Sequence, residues 1–159
     1  GFPLQWALVA ADKMHVGRDR VGEKSLDSGI AGGALEEDEY ILLNSLVVRS
    51  SWHLGKGSFL WHLDFSVDQL DQRFVSLTKG KDRLWVTDLL LRNYREKGIN
   101  FRDTFGQLFS ATYGDRIKMA AESIFLLFSF ARKFEVTLVD NDTRNKVGST
   151  QVNIIKIER

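Results

Sequence analysis

A chain of 159 residues with 43% hydrophobic and 27% charged side chains has the size and balance of one globular domain, and a core of that size needs neither a metal nor a disulfide to hold it. It contains no cysteine, which excludes thiol catalysis, thiolate metal sites and disulfides together. A formal net charge of +1 does not by itself imply a polyanionic partner, and no apolar run approaches the ~20 residues of a membrane span.

In chain order, Phe2–Ala11 is mildly apolar and ends in Ala10-Ala11, but no basic leader precedes it, so it is not read as a signal peptide. Gly17, Gly22, Gly29, Gly32 and Gly33 then lie among charged and small residues. Glycine raises the entropy lost on ordering, so residues 1–34 are expected to be a glycine-containing arm, followed by a single α+β domain over 35–159. Residues 35–49 fit two readings. Glu36–Glu39 ahead of Leu42–Leu46 suit a helix with acids in its first turn. Val47 and Val48, and the segment that follows, suit a strand. Phe59, Trp61, Leu63 and Phe65 alternate with Leu60, His62, Asp64 and Ser66, the period of a half-buried strand. With Gly55 and Gly57 as turn residues, the pattern predicts a β-hairpin pairing 41–49 with 58–65.

The middle of the chain changes to helical spacing. Ser66-Val67-Asp68-Gln69 fits a capping box, in which Ser66 accepts from the amide three residues on. Val67, Leu70, Phe74 and Leu77 continue that helix toward Gly80. A second helix, capped by Asp82 or Thr87, carries Leu84, Trp85, Leu89 and Leu91 to Gly98. A third, opened by Asn100 and Asp103, carries Phe101, Phe105, Leu108, Phe109 and Thr112 to Gly114. Asp115 caps a fourth, Arg116–Lys133, in which Ile124–Phe130 is apolar nearly all round, as a central buried helix would be. Phe134, Val136 and Leu138 alternate again, and Val152, Ile154 and Ile157 follow a turn-rich stretch, giving a closing hairpin. The predicted fold is therefore α+β: an N-terminal β-hairpin, four central helices and a C-terminal β-hairpin, packed as one antiparallel sheet against the helices.

Candidate chemistry is sparse. His62 and Asp64 share a strand face, and a carboxylate neighbour orients an imidazole for acid–base work; Ser66 or Ser58 would have to supply a nucleophile. The same two residues equally make the polar face of an amphipathic strand. Asp140, Asp142 and Asn145 offer oxygen ligands in one loop. The strand-D-x-D-loop-strand layout resembles the calcium loops of C2 domains over that segment only, and Arg144 and Lys146 would repel the ion. Asn and Asp are also common turn formers. Lys79, Lys81, Arg83, Arg92, Arg95, Lys97 and Arg102, interleaved with Tyr94 and Phe101, form a basic region that could hold single-stranded nucleic acid, or a solvated surface. No cofactor is expected. The leading expectation is a non-enzymatic interaction or assembly module with a protein partner or self-association. The alternatives are a nucleic-acid-binding domain using the basic region and a small-ligand or hydrolytic domain around His62 and Asp64.

Overall fold

A computed structural model of the chain describes residues 3–17, 20, 39–69, 72, 96–98, 101–142 and 150–159. In order the elements are helix α1 (Pro3–Lys13), helix α2 (Glu39–Leu46), strands β1 (Val47–Gly55) and β2 (Ser58–Phe65), helix α3 (Phe101–Leu127), and strands β3 (Lys133–Asp140) and β4 (Thr150–Glu158). The four strands make one sheet in the order β1-β2-β3-β4. β1 and β2 are antiparallel, β2 and β3 parallel, and β3 and β4 antiparallel.

One face of this sheet carries the core. Along β2, Phe59, Trp61, Leu63 and Phe65 are buried and their alternates half-buried. Phe134, Val136 and Leu138 of β3 are buried beside them, in register with Phe59, Trp61 and Leu63. Helix α3 covers that face with a stripe of Phe105, Phe109, Tyr113, Ile117, Ala120, Ala121 and Ile124, at helical period and all buried. Phe65 stacks on Phe105 with ring centroids 4.1 Å apart, and Phe109 on Tyr113 at 4.7 Å. Arg159 closes the C-terminal end of α3: its Nη1 donates to the Phe125 carbonyl at 2.7 Å, and it lies over the Phe125 ring. A guanidinium on the last carbonyls of a helix satisfies orphan acceptors and opposes the negative end of the dipole.

A buried polar knot ties α1 and the turn after it to the rest. Asn44, fully buried in α2, accepts from the Gly17 amide at 3.1 Å and donates to the Tyr40 carbonyl at 2.9 Å and to the Tyr113 hydroxyl. Arg116 donates to the Asp12 carbonyl at 2.9 Å, at the end of α1. Arg20 donates to the Tyr40 hydroxyl. Burial, and the neighbouring Tyr40 after it, hold the Tyr113 phenol well above the usual tyrosine range. Because one side chain reaches three segments, α1 is fixed against α3 while its Ala7, Ala10 and Ala11 face β1.

This arrangement overturns the predicted layout. The N-terminal hairpin is not the first element, because Pro3–Lys13 is helical. The 41–49 strand is instead helix α2 up to Leu46, with Leu42, Leu43 and Leu46 on its buried side. β1 then runs to Gly55, through residues expected to be turn, and the turn itself is only Lys56-Gly57. The third and fourth helices are one helix that passes straight through Gly114-Asp115, since the apolar stripe continues without a phase break from Tyr113 to Ile117. That helix stops at Leu127, so Ile124–Phe130 is not a central helix, and Leu126 and Phe130 are exposed. Nor is the sheet wholly antiparallel, because β2 and β3 run in the same direction. The predicted helix from Val67 is seen at residues 67–69 and 72, and the rest of it, with all of 82–95, lies outside the described residues.

Candidate functional site

β1 is an edge. Among the described residues no strand lies on its outer side, and Arg49, Ser50, Ser51, Trp52 and His53 are all exposed. An edge strand presents backbone donors and acceptors that no neighbour has used. Trp52 is 62% exposed although it points to the core side of the sheet, where it stacks on Phe59 at 5.4 Å. Phe59 in turn stacks on Phe134 at 5.3 Å. The exposed indole is thus the open end of an aromatic row that begins in the core.

Facing Trp52 across a groove is α1. Its small residues Ala7, Ala10 and Ala11 leave an apolar hollow of about 340 Å³ between the helix and the strand, floored by Ile124, Leu127 and Phe128. A second hollow of about 490 Å³ continues along β1 beside Val47, Val48 and Arg49, with the turn residues His15, Val16 and Gly17 on its other side. Met14 and Ser50 line both hollows, so the two adjoin. The groove therefore follows β1 from Val47 to Trp52, a length of roughly 20 Å for six strand residues. One wall is the strand edge, unpaired among the described residues, and the other is α1 with the turn that Asn44 and Gly17 hold in place.

The groove is electrostatically lopsided. β1 carries Arg49 and His53 and no carboxylate. Asp64 on β2 lies against this strand, its Oδ2 3.3 Å from Arg49 Nε, while the Arg49 side chain stays 73% exposed. Lys56 extends the basic side to the hairpin tip, where it adopts a φ of 53°.

The sequence-predicted residues lie elsewhere. His62 and Asp64 share the sheet face away from α3, but each turns to a different strand: His62 Nδ1 pairs with the Thr137 hydroxyl and Asp64 with Arg49. Ser66 is buried, donating to Asp142 Oδ1 at 2.6 Å and accepting from the Gln69 amide at 3.0 Å, so it caps a helix instead of facing a substrate. Asp142 is also buried, and its two oxygens accept from the amides of Val67 and Asp68 at 3.0 Å. Asp140 Oδ1 accepts from the Asp142 amide at 3.0 Å. Asn145 lies outside the described residues, and among the described residues no group of three or more His, Asp or Glu side chains is placed to hold a metal. Of the basic region, Lys97 is exposed and Arg102 lies in the first turn of α3; Lys79, Lys81, Arg83, Arg92 and Arg95 lie outside the described residues. Sequence reasoning missed Trp52 and the three alanines of α1. The available signal was a tryptophan among serines and histidine on a segment next to a strong strand.

Comparisons with known protein families, curated proteins and solved structures find no match to this chain.

Proposed function

We propose that this chain is a non-enzymatic interaction module, one component of a larger assembly, and that it takes an extended segment of a partner protein along β1. The observation that carries this reading is the exposed edge of β1 lying across an apolar groove from α1, with Trp52 at its mouth. A strand added at such an edge gains main-chain hydrogen bonds for affinity, and a side-chain pocket beside it gives specificity. Aromatic side chains are the usual anchors of such contacts, because they bury large area at low entropy cost. Leu4 and Leu8, 70% and 62% exposed, add apolar surface on the same helix.

Panning the protein against displayed random ten-residue peptides tests the reading. The expected result is a set of mutually competing binders, rich in β-branched and aromatic residues, that lose binding when Ala7→Phe fills the groove. Recovery of no groove-dependent binder would sink it.

A further inference from the structure

We infer that the segment received by β1 alternates apolar and acidic side chains, the apolar ones entering the groove and the acidic ones lying over Arg49 and His53. This rests on the reading of β1 as a docking strand and specifies its partner. Side chains of a strand alternate between faces, and an added strand shares the alternation of the edge it joins. On β1, Ser50 and Trp52 pair with Leu63 and Trp61 and so lie on the core side of the sheet; Arg49, Ser51 and His53 pair with Asp64, His62 and Leu60 and lie on the other side. Residues of an incoming strand opposite Ser50 and Trp52 therefore point into the hollow lined by Ala7, Ala10, Ala11 and Leu127. Only apolar groups suit that hollow, since buried polar groups there would lack partners.

Residues of the incoming strand opposite Arg49, Ser51 and His53 stay in water beside a strand that has basic groups and no acid of its own. Opposite charges facing across strands stabilise, and like charges destabilise. The same fact argues against a second copy of this chain as the occupant, because two β1 edges brought together would set Arg49 and His53 against equally basic partners. Asp64 competes for Arg49 from within the molecule, so an acidic partner residue binds Arg49 in competition with it.

Labelled ten-residue peptides alternating Val with Glu, Val with Lys and Val with Ser provide the probes, read by fluorescence anisotropy at low and high salt. The Val/Glu peptide is expected to bind about tenfold more tightly than the Val/Lys peptide, because each exposed pair changes affinity only a few-fold and the exchange turns repulsion into attraction. Its dissociation constant should rise with salt. Arg49→Glu should reverse the preference, and Asp64→Asn should tighten Val/Glu binding two- to threefold. Ala7→Phe, or Ala11→Phe if the first variant unfolds, should weaken it at least tenfold while circular dichroism stays unchanged. If all three peptides bind equally and lose binding together on filling the groove, the acidic specificity is overturned and the docking strand stands. If none binds, or binding ignores a filled groove, the docking reading itself falls. Concentration-dependent dimers in sedimentation velocity that Arg49→Glu strengthens would overturn the acidic partner in favour of a second copy.

Discussion

Asn44 shows how much of this structure turns on single polar side chains. It is fully buried, and both its amide nitrogen and its oxygen are engaged. Asn44→Ala would leave the Gly17 amide and the Tyr113 hydroxyl without this partner, and a cost of about 2–3 kcal/mol in urea unfolding is expected. Tyr113 gives a pH signature. Its pKa is raised in the folded state, so its stabilising contribution is present below the unfolded value near 10 and is lost as pH rises above it. Tyr113→Phe should flatten the alkaline limb of a stability–pH curve; an unchanged limb would contradict the burial of the phenol. Asp142→Ala should cost about 2 kcal/mol, because three donors at Ser66, Val67 and Asp68 lose their acceptor. Ser66 was legible as a cap because the Gln69 amide it binds is three residues away. Asp142 was not, since its partners lie more than seventy residues back along the chain and a paired aspartate in a turn looks like a loop ligand.

At the level of elements, two glycines behave differently. Gly114 was expected to end a helix, yet it lies within α3, and a Cβ built on it would meet nothing within 4 Å. Gly114→Ala is therefore expected to raise stability by about 0.5–1 kcal/mol, read as a higher denaturation midpoint at unchanged slope. Gly57 is the opposite case. With φ of 77° beside Lys56 at 53°, the two form a two-residue hairpin loop with positive φ at both positions, which suits Asn-Gly best. Lys56→Asn should stabilise the hairpin by about 0.5 kcal/mol, whereas Gly57→Ala should destabilise it, both visible in thermal unfolding. β2 was legible because one of its faces is fully buried, which imposes a strict period of two. β1 was not, because an edge strand exposed through its middle has no burial to write into its sequence; its neighbour α2, apolar on most sides, took the strand assignment instead. α1 was hidden likewise, its small alanines and exposed Leu4 and Leu8 giving no clear stripe.

For the whole molecule, the sequence conveyed that helices and strands share one core but not how the strands join. Periodicity reports burial, and β2 and β3 are buried in the same way whether they run parallel or antiparallel. Nor could it convey the groove, which exists only where α1 returns to lie across from β1. The parallel junction has a consequence for how the chain reaches this state. Each hairpin pairs strands close in sequence, but joining β2 to β3 requires the chain between Phe65 and Lys133 to close on itself, at an entropic cost about 2 kcal/mol above that of closing the β3–β4 connection. Non-local closure of this kind slows folding. Val136, opposite Trp61 across the junction, is the place to detect it: Val136→Ala should slow refolding in stopped-flow fluorescence, and a change confined to the unfolding arm would put the junction after the barrier. Until α3 and β3 dock on the first hairpin, Phe59, Trp61, Leu63 and Phe65 wait uncovered, so the interval before closure is when a nascent chain is most exposed to sticking to its neighbours.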